Sequence, residues 1–516
     1  MTEVSFQHKI KTPEEIAELI GPRPREQKAI LCHGTFDVVH PGHIRHLLYA
    51  KEHADILIAS LTCDVHVQKT SISPYVPEHL RAMSLAAFEM VDHVIIDPNP
   101  EPLEVLETIK PDLFAKGYEY TDGALSPKTA AEKAVLDGYG GEFMFTPGDV
   151  VYSSTKLIHA SPPNLSLEKL ELLMQSEGID FDRLRSALDK LRDASVHVVG
   201  DTIVDTYTET ALIGGQTKTP TLSVRLESET QFVGGAGIVS KHLSAAGARV
   251  NFTTLLGDDS LKDMVLQDLA AAGVEVQPII SKSRPTTNKN AIVCDGYRLL
   301  KVDSVDNRAV SGDALAKLQD LVSGTKSDAV VFSDFRHGIF NHSTIPQLIG
   351  SIPENVFRVA DSQVASRWGN ICEFSDFDLI TPNEREARFA LGDQDSVIRP
   401  LAQKLFETAQ CQNLILKMGE RGLIAYRRGH DIGRDHRAYF VVDSFVDDLR
   451  DAVGAGDALL AYATLAHVTD GNPVVAAVLG ALAAAAECEL DGNIPVAPDA
   501  IYERIDKVER RSRYQP

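Results

Sequence analysis

The sequence predicts an α/β chain made of two successive layered units, the second carrying a small β appendage. Three observations predict this. Apolar runs of strand length alternate with amphipathic runs of helix length over residues 29–147, and again from residue 196, the pattern of sheets covered by helices. A breaker, "SPPN" at 161–164, and two amphipathic stretches separate the series. A Thr-rich segment at 205–232 alternates polar and apolar residues, as an exposed β-sheet does. With 516 residues the chain is too long for one ordinary domain.

Taken in order, "AILCHG", "DILIASL", "DHVIIDP", "DLFAKG" and "GEFMFTP" read as the strands of the first unit. Helical stretches at 42–53, 78–90, 102–109 and 128–138 lie between them, which describes a Rossmann-like parallel sandwich over residues 1–160. Residues 161–194 read as a helical linker. The second unit, 195–516, opens with "VHVVGD" and continues through "ARVNFTTLLG", "AIVCDGYRLLKVD", "DAVVFSDF", "VFRVAD", "DLITPN", "NLILKMG" and "GLIAYRRG". Its tail, 454–510, is largely helical.

Composition narrows the function. The net charge is −22, with no long Lys/Arg run, so a broad basic surface for nucleic acid is not expected. Anionic ligands would need local sites built from backbone N–H groups and a few cations. Six scattered cysteines without CxxC pairs read as reduced, mostly buried thiols. The first twenty residues lack the shape of a signal peptide, and "VVAAVLGALAAAA" is short and Ala-rich, a core helix rather than a membrane span. The expected location is cytoplasmic, with no membrane contact.

Two stretches carry chemistry. The first is "GTFDVVHPGH", residues 34–43. Gly34 follows a strand and permits close approach of a ligand, and Pro41 suits the first position of a helix. His40 and His43 share one face of that first turn. A helix N-terminus with two imidazoles would hold a phosphate whose charge grows in a transition state. The same pair could bind a metal, with His33 or His46 as a third ligand, or simply cap the helix.

This stretch resembles the H-x-G-H signature of the cytidylyltransferase-like nucleotidyltransferases, and "VYSSTKLI" (151–158) resembles that superfamily's late S-[ST]-T-K-like signature. The resemblance implies that His40 and His43 stabilise the transferring phosphoryl. Gly34, Thr35, Phe36 and Asp37 would line the nucleotide site, Lys51 would approach a phosphate, and Ser154, Thr155 and Lys156 would close over the phosphates. Arg81 and Lys116 match less firmly. "RAMSLAAFEMVDHVI", "IKPDLFAKGYEY" and "YGGEFMFTPGDVVYSSTKLI" extend the likeness over residues 9–158, to the adenylyltransferase domain of HldE-type bifunctional proteins, which act on heptose phosphates.

The second stretch is "DAVGAGDALLAY", residues 451–462. Gly454, Ala455 and Gly456 can turn bare N–H groups toward an anion, with Asp457 beside them as a base for an attacking hydroxyl. A Gly/Asp-rich helix cap is the plainer reading. With "FVGGAGIVSKHLSAAGARVNFTTLLGDD", "TPNEREA" and "LKMGERG" following the same order, residues 196–510 resemble the pfkB/ribokinase family of sugar kinases. The resemblance implies that Asp457 is the catalytic base, with Gly454, Ala455 and Gly456 as the anion hole. Lys417, Gly419 and Gly422 would lie by ATP, and Asn383 and Glu386 would organise Mg²⁺ through water. Asp205, Gly234, Gly235 and Asp334 would face the sugar, and the 205–232 appendage would be a ribokinase-like lid that also joins two copies as a homo-oligomer.

Three departures accompany the likeness. Ile238 stands where HldE-type kinases carry a sugar-binding Asn. Residues 210–222 do not match their lid. The transferase precedes the kinase, the reverse of the HldE order. The expected activity is a bifunctional sugar kinase and sugar-1-phosphate nucleotidyltransferase that makes a nucleotide-activated sugar, ADP-heptose-like, from sugar phosphates and nucleoside triphosphates. ATP and Mg²⁺ are the expected cofactors. The alternatives are a CTP-dependent enzyme for another sugar or polyol phosphate, and a chain in which one domain is an inactive regulatory module.

Overall fold

A computed structural model describes the chain apart from residues 1–5, 68–73, 75, 118–126, 147–165, 215–221, 365–368, 431–434, 491, 493 and 514–516. It forms two compact units: Met1–Leu165 with Asp431–His436, and Ser166–His430 with Arg437–Pro516.

The sheet of the first unit contains β1 (Ala29–Gly34), β2 (Ile56–Thr62), β3 (His93–Asp97), β4 (Leu113–Gly117) and β5 (Glu142–Thr146). The strand order is β3-β2-β1-β4-β5 and every pairing is parallel. Successive side chains of a strand point to opposite faces, so one apolar run feeds two cores. Ile30 and Cys32 pack with Leu57, Leu47 and Leu85 on one face. Ala29 and Leu31 pack with Ile58, Ile95, Leu106 and Leu136 on the other. That double burial explains why these strands read as continuous apolar runs. Helix Pro13–Ile20 adds Ile16 to the second core and starts on a capping box between Thr12 and Glu15.

The second unit holds a nine-stranded sheet and a separate four-stranded sheet. The large sheet runs β10 (Glu275–Ser281), β9 (Arg249–Gly257), β6 (Ser195–Gly200), β13 (Ala329–Asp334), β14 (Phe357–Ser362), β15 (Leu379–Ile380), β16 (Asn413–Lys417), β17 (Leu423–Arg427), β18 (Tyr439–Val442). It is parallel through β16 and then closes with two antiparallel strands. The small sheet is β12 (Tyr297–Ser304), β11 (Asn288–Cys294), β7 (Thr202–Gly214), β8 (Ser223–Gly235). The appendage expected at 205–232 therefore gains a second hairpin from the stretch read as "AIVCDGYRLLKVD". That hairpin turns at Asp295 and Gly296, both at positive φ.

The apolar tail forms three helices, Ala455–Thr469, Pro473–Cys488 and Pro498–Arg513. "VVAAVLGALAAAA" lies in the second of these, buried among Val196, Val198 and Leu243. Among the described residues no helix is long and apolar enough to cross a membrane. Helices Ser166–Ser176 and Phe181–Lys190, expected as a linker, send Leu170, Met174, Leu184 and Leu188 into that same core, and Arg427 donates two bonds to Glu177 between them. All six cysteines are free and five are buried.

Candidate functional sites

In the first unit the site grows from the carboxyl end of β1, where ligands bind in open parallel sheets. Phe36 adopts φ 49° and folds its ring back to within 3.4 Å of the Cβ that Gly34 lacks. Asp37 is buried and accepts the N–H of Val76 at 2.8 Å. Arg81 is 1% exposed and donates to the carbonyls of Thr35, Thr62 and Val76 and to Asp64. Its four bonds set the path of the loop ahead of the histidines, so Arg81 is a positioning residue.

His40 is the N-cap of helix Pro41–Glu52, and its Nδ1 accepts the N–H of Gly42 at 3.1 Å. In the neutral ring the proton is then on Nε2, which becomes a donor. The His43 ring lies 4.0 Å from that of His40, tilted by 30°, and 5.2 Å from that of Phe36. The two imidazoles expected to act together are together, at a helix N-terminus.

Lys51 is not with them. It sits ten residues along the helix from Pro41, about 15 Å at 1.5 Å per residue, and bonds Asp92 and the Asp55 carbonyl. Its expected phosphate role is corrected: Lys51 pins the far end of the helix. Ser154, Thr155 and Lys156 lie outside the described residues. Sequence reasoning passed over a polar cluster at the ends of β1 to β4. His33 bonds Ser60 at 3.0 Å and Thr62 at 3.2 Å, and burial lowers its pKa to about 3. His46 bonds Thr146 at 2.6 Å and burial lowers it to about 4. Both are neutral hydrogen-bonding groups at physiological pH. Lys116 pairs with Glu132.

In the second unit the functional side chains again stand at carboxyl ends of parallel strands. Helix Ala455–Thr469 starts at Gly454, φ 89°, with no side-chain cap. The N–H groups of Ala455 and Gly456 fall in its first turn, where intrahelical acceptors are lacking. Asp457 is half-buried in that turn. Burial, then the neighbouring Asp361, push its carboxyl up to about 7, while Lys417 opposes them. Lys417, at the end of β16, donates to Asp361 Oδ1 at 3.1 Å. Its Nζ lies 3.2 Å from the Cβ that Gly456 lacks. A side chain at 456 would crowd the ammonium against the turn.

Asp361, at the end of β14, was missed because no local motif marks it. Strand order brings it across β15 to Lys417. Asn383 and Glu386 form a reciprocal cap: Asn383 Oδ1 accepts the N–H of Glu386, and Glu386 Oε2 accepts the N–H of Asn383. Burial and the Asp361 charge raise the Glu386 pKa. The oxygen left over, Oε1, fits a water-mediated role toward Mg²⁺. No group of three carboxylate, His or Cys side chains placed for direct ligation occurs among the described residues.

Gly422 has φ 76°, and a Cβ there would lie 2.1 Å from the Val442 carbonyl. Gly419 has φ 62°. Gly235, φ 61°, passes so near Asp201 that a Cβ would meet its carbonyl at 2.5 Å. Asp201, also missed, accepts the N–H groups of Phe335 and His337 and shapes the loop after β13. Asp334, expected to face the sugar, is fully buried. It bonds Ser362 at 2.7 Å and pairs with Arg336 at 2.8 Å. Its role is corrected to positioning, because ligand cannot reach it. Ile238 is 1% exposed, an apolar wall with no hydrogen bond to offer. Asp205, on β7, is within electrostatic reach of Asp457. Glu487, 1% exposed and without a hydrogen bond, is pushed up to about 8 by burial and by Asp457 and Asp451.

Comparison with known proteins agrees with this division. A family model described as pfkB family carbohydrate kinase matches residues 193–495, and one described as cytidylyltransferase-like matches residues 31–160. A relative from Rhodopseudomonas palustris, named bifunctional protein HldE, is 27% identical over 336 residues. That match covers 63% of this chain and 65% of the relative. The protein of the same name from Campylobacter jejuni is 40% identical over 121 residues, 23% of this chain and 26% of its own length. Among solved structures, Escherichia coli phosphofructokinase-2 in complex with substrates and products superposes with a TM-score of 0.51 at 17% identity. It covers 61% of this chain and 100% of its own, a likeness of fold.

Proposed function

Because this chain belongs to the pfkB family of carbohydrate kinases, we propose that residues 195–516 phosphorylate a sugar with ATP. Residues 1–160 then act as a nucleotidyltransferase on a sugar 1-phosphate, with 161–194 joining the two. The observation that carries the kinase reading is Asp457, a carboxyl near pH 7 beside the bare N–H groups of a glycine turn. A base works best with a pKa close to the operating pH.

The steps balance as follows. A sugar hydroxyl oxygen attacks the γ-phosphorus of ATP, its proton passes to Asp457 Oδ, and the bond to the β-phosphate oxygen breaks to release ADP. The N–H groups of Gly454, Ala455 and Gly456 take the charge growing on the phosphoryl oxygens. Lys417 supplies a mobile cation beside the same turn, and Asp205 fixes sugar hydroxyls. Mg²⁺, when bound, neutralises the nucleotide phosphates; Glu386 and Asn383 orient its waters. In the transferase the 1-phosphate oxygen attacks the α-phosphorus of the triphosphate and pyrophosphate leaves. His40 Nε2–H and His43 donate to the oxygens that gain charge.

An ADP-heptose-like product is favoured by the HldE-named relatives, and CTP is the alternative nucleotide. Ile238 favours a second reading in which the sugar differs from heptose, since the wall it forms cannot bond a hydroxyl. The exposed apolar residues Leu212, Leu226, Leu300 and Val302 on the small sheet support association of two copies through the lid. The test is product analysis by mass spectrometry after incubation with ATP or CTP and panels of sugars, sugar phosphates and sugar 1-phosphates. Formation of ADP with a phosphorylated sugar supports the kinase; pyrophosphate with a nucleotide sugar supports the transferase. Absence of both refutes the proposal.

A further inference from the structure

The small sheet of the second unit has two faces with different chemistry, and the alternation of its strands keeps them apart. Thr208 bonds Asn290, and Thr206 bonds Asn288, so the even-numbered residues of β7 and β11 share one face. Val302 and Leu300 pair with Asn290 and Ile292 and lie on it too. This is the face of the exposed apolar side chains.

The opposite face carries Asp205 and Tyr207 of β7, Lys289 and Ala291 of β11, and Lys301 of β12. The register sets Asp205 beside Lys289 and Lys301 beside Ala291. Arg298 would belong to the apolar face by simple alternation from Lys301. A β-bulge between Ile292 and Val293 changes that: Ile292 pairs with Leu300, but Val293 pairs with Arg298, and Leu299 is the extra residue. The bulge moves Arg298 to the face of Lys301, re-aiming a side chain as bulges do. Its guanidinium lies 6.0 Å from the Tyr207 ring, on that face. Together Asp205, Tyr207, Lys289, Arg298 and Lys301 line a cavity of about 330 Å³.

Charge makes this cavity unusual. The chain carries −22 overall, yet three cations converge here. Among the described residues none of the three forms an ion pair within 4 Å, although Asp205 and Asp303 are near enough to bias Lys289. The face also looks toward the catalytic turn: Asp205 acts on Asp457, and Tyr207 feels Asp451. His337 adds a neutral acceptor nearby. Its Nδ1 donates to Asn307 Oδ1 at 2.9 Å, which leaves the buried Nε2 with a bare lone pair.

We propose that Lys289, Arg298 and Lys301 grip an anionic group that the sugar substrate already carries before phosphorylation, so that the kinase unit selects a sugar phosphate over a free sugar. This rests on the reading of residues 195–516 as a sugar kinase. Diagonal neighbours across two strands stand about 7–8 Å apart, a gap that one phosphate dianion spans between two ammonium groups. The bulged Arg298 supplies the planar fork that matches phosphate oxygens. Asp205 is left for hydroxyls nearer Asp457.

The test uses the full chain in two measurements. In the first, titration calorimetry without ATP compares a hexose 6-phosphate, the free hexose and inorganic phosphate, for wild type, Lys289→Met/Lys301→Met, and Arg225→Gln. Arg225 is an exposed lid residue paired with Glu227, so its variant controls for loss of charge on the lid. The double variant should weaken phosphate or hexose 6-phosphate binding by about tenfold to a hundredfold, the worth of hydrogen bonds to charged groups. The Arg225 variant should leave it unchanged. In the second, kinase KM is measured for phosphorylated and free sugars. KM for the phosphorylated sugar should rise in the double variant while kcat holds. Phosphate binding unaffected by the double substitution, or a KM that shifts equally for free and phosphorylated sugars, overturns the proposal. Loss of anion binding in the double variant, with no turnover of any sugar by wild type, upholds the anion grip and refutes the kinase reading instead.

Discussion

Replacing Asp457 by Asn should abolish sugar phosphorylation and at the same time stabilise the second unit, more so as the pH rises. The shape is preserved and only the ionisable oxygen is lost. Removing a general base costs about 10²–10⁴ in rate. The stability effect follows from the carboxyl being raised from 3.8 to about 7 in the folded chain. The folded state then binds the proton more tightly than the unfolded one, so wild-type stability falls as pH climbs through that interval. At about 1.4 kcal/mol per pKa unit, the wild type loses at most about 2.5 kcal/mol between pH 5 and pH 8 from this group. The Asn variant does not. The chain's one Trp, Trp368, belongs to the second unit, so urea unfolding followed by Trp fluorescence reads that unit. Kinase turnover by coupled ADP release completes the assay. A variant that keeps more than a tenth of wild-type activity, or a stability difference that is flat with pH, would refute the buried-base reasoning.

Other outcomes follow from the same geometry. The wild-type kinase should lose about ninefold in kcat/KM from pH 8 to pH 6 as the Asp457 carboxyl, near 7, gains its proton, a limb read by a pH–rate profile. His43→Ala should remove pyrophosphate exchange while ADP release by the kinase persists, because the two sites are on separate units. Lys51→Ala should leave exchange within about twofold, since its partners are Asp55 and Asp92 at the far end of the helix, and surface substitutions away from a site have small effects. Gly422→Ala should yield insoluble or unfolded second unit, since its Cβ would lie 2.1 Å from the Val442 carbonyl; soluble expression and circular dichroism check this.

Much of the fold was legible because parallel strands buried on both faces leave apolar runs, and β1 to β5 all left them. Edge strands were harder. β10 carries Pro278 and β18 only four residues, so neither stands out from a loop. The histidine pair was legible because a helix N-terminus, a proline and two imidazoles lie within ten residues. Asp457 was legible for the same local reason. Asp361, Asp201 and Arg81 were not, because each acts through partners brought near by strand order or by a loop fold. Lys51 and Asp334 show the converse: motif position suggested a ligand contact, whereas helix length in one case and complete burial in the other direct the side chain to a protein partner.

The account's central claim is that one chain carries two independent phosphoryl-handling sites. The most direct measurement is mass spectrometry of the products of wild type, Asp457→Asn and His43→Ala, given ATP with a sugar phosphate panel and, separately, with sugar 1-phosphates. The account predicts that wild type makes both a newly phosphorylated sugar and a nucleotide sugar, that Asp457→Asn loses only the first, and that His43→Ala loses only the second. A wild type that makes neither product, or a single substitution that removes both, would contradict it.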